Sequence, residues 1–187
     1  MQKTALFLAA ALAATTAAAA DYKIDPLHTN ARFAIDHFAT STNIGGFYGL
    51  EGTMKFDAKA KTGSIDVRIP VANLQSSSQQ FTGHLQSADL FDAAKYPEMR
   101  FVSSRFHFNG DKVTAVDGKL TLRGQTHDVQ LKADKFNCYD SPMLKTQVCG
   151  GDFSTTIDRT RWGMDYLVNV GMSKDVRIDI QIEAAKQ

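Results

Sequence analysis

Five histidines, at positions 28, 37, 84, 107 and 127, are the side chains best suited to move protons or to bind a metal. They are far apart in sequence, so no local spacing suggests a metal site. Short catalytic signatures are also missing. There is no Gly-x-Ser-x-Gly turn to raise a serine above a sheet, no His-Glu-x-x-His, and no phosphate-cradling loop ending in Gly-Lys. Gly46, Gly49 and Gly52 recur every three residues, unlike a dinucleotide-binding turn. In a strand-like stretch such glycines permit bending or the close approach of a ligand. The expectation is a protein without catalytic residues, metal or cofactor. The alternative is a barrel enzyme, isomerase-like, with His84 or Asp158 brought to a hydrophobic substrate through space.

The two cysteines, Cys138 and Cys149, bracket Asp140-Ser141-Pro142, a turn composition. They do not form Cys-x-x-Cys and no histidine lies close by, so a redox pair or a zinc site is disfavoured. The N-terminus places them in an oxidising compartment. Lys3 precedes an apolar run from Thr4 to Ala14, and Ala18-Ala19-Ala20 leads into Asp21. This is the pattern of a signal peptide over residues 1–20, cleaved after Ala20, with an apolar run too short to span a bilayer. No cysteine follows it to carry a lipid anchor. A periplasmic or secreted location is expected, and a Cys138–Cys149 disulfide that staples a loop. Closing a loop this short contributes about 3 kcal/mol.

The elements that must position these residues are strands. Val176, Ile178, Ile180 and Ile182 alternate with Arg177, Asp179, Gln181 and Glu183, one face apolar and the other wet. Val129, Leu131 and Ala133 repeat the pattern, as do Ile65, Val67 and Ile69. Further strands are read over 21–25, 29–37, 47–56, 99–108, 113–122 and 153–158. Asn109-Gly110-Asp111, Lys61-Thr62-Gly63 and Arg123-Gly124-Gln125 mark the turns between them. Many short strands joined by tight turns argue for an antiparallel meander, and a sheet of that length must close or fold over to remove its edges. One segment breaks the pattern. After Ser76-Ser77-Ser78, Phe81, His84, Leu85 and Ala88 fall at helical spacing, with serine placed to cap. Gly83 within it costs about 1 kcal/mol relative to alanine, so this helix must lean on the sheet.

Composition sets the outer bounds. The chain has 187 residues, 43% hydrophobic and 22% charged, with a formal net charge of +1. These values exclude disorder, collagen and a polytopic membrane protein, and they give no basic excess for a nucleic-acid partner. Residues 21–187 suit one domain. Of 12 phenylalanines, most fall in strands. Phe101 is read on one face of its segment and Val102, Phe106 and Phe108 on the other, so both faces would be buried. An apolar patch left outside would allow a homodimer or a transient membrane contact. An outer-membrane barrel is disfavoured, because the chain ends Ala184-Ala185-Lys186-Gln187 without a terminal aromatic.

Several ordered blocks resemble one family. They are Tyr22-Lys23-Ile24-Asp25-Pro26-Leu27-His28-Thr29, then Phe33 with Asp36-His37-Phe38, then His84 to Asp92 followed by Tyr96-Pro97-Glu98-Met99-Arg100-Phe101. Gly118 to Gly124 and Ile157-Asp158-Arg159-Thr160-Arg161-Trp162-Gly163 complete the set. Together they are similar to the YceI-like family of secreted, polyisoprenoid-binding proteins. Tyr22 departs from the tryptophan of many members, and the cysteine loop looks like a local addition. The resemblance implies an all-β, eight-stranded antiparallel lipocalin-like barrel with one short helical excursion. It implies an isoprenoid quinone such as ubiquinone, or a polyprenyl chain, held in an apolar tunnel without catalysis. On that reading Phe33, Phe47, Phe101, Phe106, Phe108, Leu120, Leu122 and Trp162 are wall residues. Phe81, Leu85 and Phe91 close the tunnel, and His37, His84, Asp158 and Arg159 form a polar mouth.

Overall fold

In a computed structural model, which describes residues 19–187, the chain is built almost wholly of strands. All but the last two residues of the expected signal peptide lie outside the described residues. The strands are β1 (Ala20–Ile24), β2 (Asn30–His37), β3 (Ser41–Tyr48), β4 (Glu51–Asp57), β5 (Thr62–Pro70), β6 (Leu74–Ser76), β7 (Glu98–Asn109), β8 (Lys112–Leu122), β9 (Gln125–Asp140), β10 (Gln147–Asp158) and β11 (Asp175–Lys186). Every pairing is antiparallel. The ring β1-β4-β5-β7-β8-β9-β10-β11 closes on itself through Tyr22–Lys186, Lys23–Ala185 and Ile24–Ala184. This is an eight-stranded antiparallel barrel, and closure leaves the ring without an edge.

The other three segments extend ring strands rather than add to them. β2 runs on from β1 along the same partner, β11, beyond a single 3-10 turn at Pro26–His28. β3 leads into β4 through Gly49, whose φ of 66° lies in the left-handed region that glycine enters without penalty. β6 follows β5 after a 3-10 turn at Val71–Asn73. The barrel is therefore an up-and-down meander of eight strands, three of them kinked. Among the described residues β6 pairs only with β3, so the wall parts between β6 and β7 at one end. Residues 77–97 fill that gap. They include α1 (Gln79–Leu85), the single α-helix among the described residues, capped by Ser78 Oγ accepting from the Phe81 amide at 3.1 Å.

The turns follow local chemistry. Asn109 pairs with Lys112 across Gly110-Asp111, and Leu122 with Gln125 across Arg123-Gly124. Arg123 and Gly124 both have positive φ, 49° and 71°, as the tightest hairpins require. The disulfide joins Cys138 on β9 to Cys149 directly opposite on β10.

Strict alternation fails at three bulges, and this corrects the two-faced reading of Phe101 and its neighbours. On β7 the register slips between Ser103 and Arg105, so Ser104 has no counterpart. That one extra residue reverses the parity of the strand. Phe101, Phe106 and Phe108 consequently share the inner face, and Val102 is left outside, 41% exposed. A second slip, opposite His107/Phe108, resets β8 at Thr114, and a third at Asp134 turns Phe136 on β9 inward.

Candidate ligand-binding cavity

The inner faces of the strands do not meet at the barrel axis. They enclose a cavity of about 240 Å³ whose wall is almost entirely aliphatic and aromatic. β11 contributes Val176, Ile178, Ile180 and Ile182, which span seven residues, or six steps, of strand. At ~3.3 Å per residue and a strand tilt near ~40°, the cavity runs on the order of 15 Å along the axis.

One end is sealed by rings. Phe56, Phe106, Phe108 and Phe136 pack together, with Phe56 centroids 5.0 Å from Phe136 and 5.8 Å from Phe106. The other end is covered by two pieces of chain. From the gap-filling segment, Phe91 stands between Phe33 and Phe47, at 6.3 and 5.3 Å. Arg123 donates to the Leu90 carbonyl at 2.5 Å and pins that segment down. From the connection between β10 and β11, Tyr166, Leu167 and Met172 reach the cavity. The Tyr166 ring meets His84 edge-on at 5.4 Å.

A barrel so rich in phenylalanine stays hollow because some rings lie flat on glycine. A Cβ built on Gly45 would sit 2.5 Å from the Phe33 ring, and one on Gly118 would sit 2.3 Å from the Phe101 ring. Each ring occupies the place where the neighbouring strand has no side chain, and so lies along the wall instead of across the lumen.

Arg159 organises the covered end. It is 97% withdrawn from solvent, with only 3% of its surface exposed. Its guanidinium donates to the carbonyls of Ser173, Met164 and Tyr166, each at 2.9 Å, and thereby holds the 163–173 connection in place. Burial pushes its pKa down from the usual arginine range. The ionisable groups on the cavity wall are Arg32, His37, His84, Arg159 and Tyr166, and among the described residues no Asp, Glu or Lys joins them.

Of the residues expected at the site, the structure brings Phe33, His37, Phe47, Phe81, His84, Leu85, Phe91, Phe101, Leu120, Leu122 and Arg159 to the cavity. Four others lie elsewhere. Phe106 and Phe108 are floor rather than wall: the bulge at Ser104 turns them inward, and their place near the end of β7 puts them at the sealed end. Trp162 is fully buried, its Nε1 donating to the Leu120 carbonyl at 3.1 Å, so it packs behind the wall. Asp158 faces away and caps the 3-10 turn Arg159–Trp162, accepting from Thr160 Oγ1 at 2.6 Å and Lys174 Nζ at 3.0 Å. Those bonds hold its carboxyl down to about 2, the Thr160 hydroxyl first and the Lys174 ammonium next. Sequence reasoning missed the aliphatic wall on β5, β9 and β11 as site residues. Its signal was present in their alternation, since the inner face of a hollow barrel is at once core and lining. It also missed Tyr166, Leu167 and Met172, which lie in a connection without periodicity.

A closed up-and-down barrel around an apolar cavity, covered by a short helix and a loop, defines a lipocalin-like barrel of the ligand-enclosing kind. The chain belongs to the YceI-like family, whose domain model matches residues 22–184. A UPF0312 protein of Pseudomonas putida strain W619 is 34% identical over 181 residues, covering 95% of this chain and 93% of the relative. Another from Pseudomonas fluorescens is 34% identical over 194 residues, covering 100% and 99%. Among solved structures, the chain resembles a polyisoprenoid binding domain from Saccharophagus degradans, with a TM-score of 0.66, 12% identity, and coverage of 89% and 98%. It also resembles a YceI protein of Campylobacter jejuni, with a TM-score of 0.66, 24% identity, and coverage of 76% and 84%. At these identities the solved structures bear on the fold.

Proposed function

We propose that this protein binds an isoprenoid lipid, either an isoprenoid quinone such as ubiquinone or a polyprenyl chain, and carries or stores it in the periplasm after removal of residues 1–20. The observation that carries the reading is the enclosed apolar cavity, sealed at one end by phenylalanine and lined over its length by aliphatic side chains. Each CH₂ moved from water into such a lining contributes ~0.8 kcal/mol. Ten buried carbons then supply about 8 kcal/mol, the binding energy of a micromolar complex before ordering costs are subtracted. Family membership and the Saccharophagus binding domain support the same ligand class. The polar groups at the covered end, Arg159, His37, His84 and Asn43, suit a head group rich in hydrogen-bond acceptors, such as quinone carbonyls or phosphate oxygens.

Native mass spectrometry of protein exported to the periplasm, followed by organic extraction, tests this. A discrete isoprenoid at near-stoichiometric occupancy is expected. An empty protein that also refuses added quinone and polyprenol would overturn the assignment.

A further inference from the structure

We propose that the covered end of the barrel is a lipid-bilayer contact through which the ligand passes between membrane and cavity, an inference that rests on the lipid-binding reading above. Two loops form its rim. Phe38 sits at the tip between β2 and β3, and Tyr166, Leu167 and Val170 lie on the connection between β10 and β11. They are 38%, 37%, 37% and 60% exposed. The loops touch, since the Phe38 ring lies 3.5 Å from where a Cβ of Gly171 would be.

Three observations favour a bilayer as the occupant. First, the rim is continuous with the cavity, because Tyr166 and Leu167 line it while also facing solvent. Second, residues 38–43 and 166–173 contain no charged side chain, in a protein where 22% of residues are charged. An uncharged apolar rim fits the acyl boundary of a membrane, and charge attraction to anionic lipid is not needed. Third, a tail bound by some 8 kcal/mol of apolar burial has an equally large cost of entering water, about a millionfold in population. Transfer by contact avoids that step. Met143 and Leu144, 89% and 55% exposed, form a comparable apolar pair at the opposite, sealed end and provide the internal control.

The test mixes the purified protein with phosphatidylcholine vesicles carrying a short-tailed ubiquinone. The single tryptophan, Trp162, reports arrival by quenching. The wild-type rate is expected to rise in proportion to vesicle concentration and to be insensitive to salt. Phe38→Asp with Val170→Asp should slow it at least about tenfold, while Met143→Asp with Leu144→Asp leaves it unchanged. Quinone presented from a cyclodextrin complex should load the rim variant to the wild-type level, which shows that fold and cavity are intact. A rim variant with the wild-type vesicle rate, or a wild-type rate independent of vesicle concentration, overturns the bilayer contact. So does fast loading from cyclodextrin with none from vesicles, which points to a protein donor. Loading of the wild type from neither source overturns the lipid-binding reading itself.

Discussion

Gly118→Ala is the smallest change that should close the cavity from within. The added methyl would lie 2.3 Å from the Phe101 ring and 2.9 Å from the Val102 carbonyl oxygen. The carbonyl is fixed in the β7–β8 ladder, so the ring must give way. Overpacking of this kind costs about 1–3 kcal/mol, and the loss of glycine's freedom in the unfolded chain returns about 0.4–1. The ring also has free space to move into. A net loss of about 1–2 kcal/mol follows, or about 2–8 °C in Tm for a domain of this size. The larger effect is on binding, since a ring tilted off the wall takes up part of a cavity of about 240 Å³. Ligand retained through purification, measured by native mass spectrometry beside a thermal melt, should fall sharply while the fold persists. Phe101→Leu in the same background removes the ring that moves, so the double variant should recover occupancy, a coupling that independent sites would not show. Gly118→Ala with full occupancy and an unchanged Tm would refute the idea that glycine keeps the lumen open by letting a ring lie flat.

Two further outcomes follow from groups at the ends of the barrel. Replacing Cys138 and Cys149 with serine should lower Tm by about 6–12 °C, the equivalent of about 3 kcal/mol. Ligand occupancy should survive, because the bridge lies beyond the phenylalanine floor; alkylation without reductant should label neither cysteine of the oxidised protein. Asp158, whose folded pKa of about 2 lies below the ordinary carboxylate value near ~4, contributes stability that is fully present above about pH 4 and lost as pH falls toward 2. Asp158→Asn should therefore flatten the acid limb of Tm against pH in that window, and identical limbs for the two proteins would contradict the capping role.

Much of the fold was legible because alternation and turn chemistry are local. Val176 to Ile182, the Ser78 cap and the Arg123-Gly124 turn each appear where their residue types placed them. What could not be read was parity across a bulge. Ser104 and Asp134 are chemically unremarkable, yet each reverses the face of every residue that follows on its strand. The wall residues Phe33 and Phe101 avoid or precede a bulge and line the cavity, whereas Phe106 and Phe108 follow one and turn inward at the sealed end.

The same bulges explain why a single chain can be both filled and hollow. A barrel of eight strands has an interior that side chains can just fill, so an open cavity requires a local exception. Here the exception is divided along the axis. At the floor, bulges gather phenylalanine from β7 and β9 around Phe56, and Gly63 on β5 lies beneath the Phe106 ring, 2.7 Å from where its Cβ would be. Above it, Gly45 and Gly118 let the Phe33 and Phe101 rings recline on the wall, and the rest of the lining is aliphatic. At the top, Arg159 trades an ion pair for three carbonyl partners and fixes the cover without placing an acid near the ligand. Replacing that arginine with a residue able to satisfy only one carbonyl would leave buried acceptors unpaired, each at a cost of about 1–3 kcal/mol. The loop that carries Tyr166 and Leu167 should loosen before the barrel does, as the proposed passage of ligand at the rim requires.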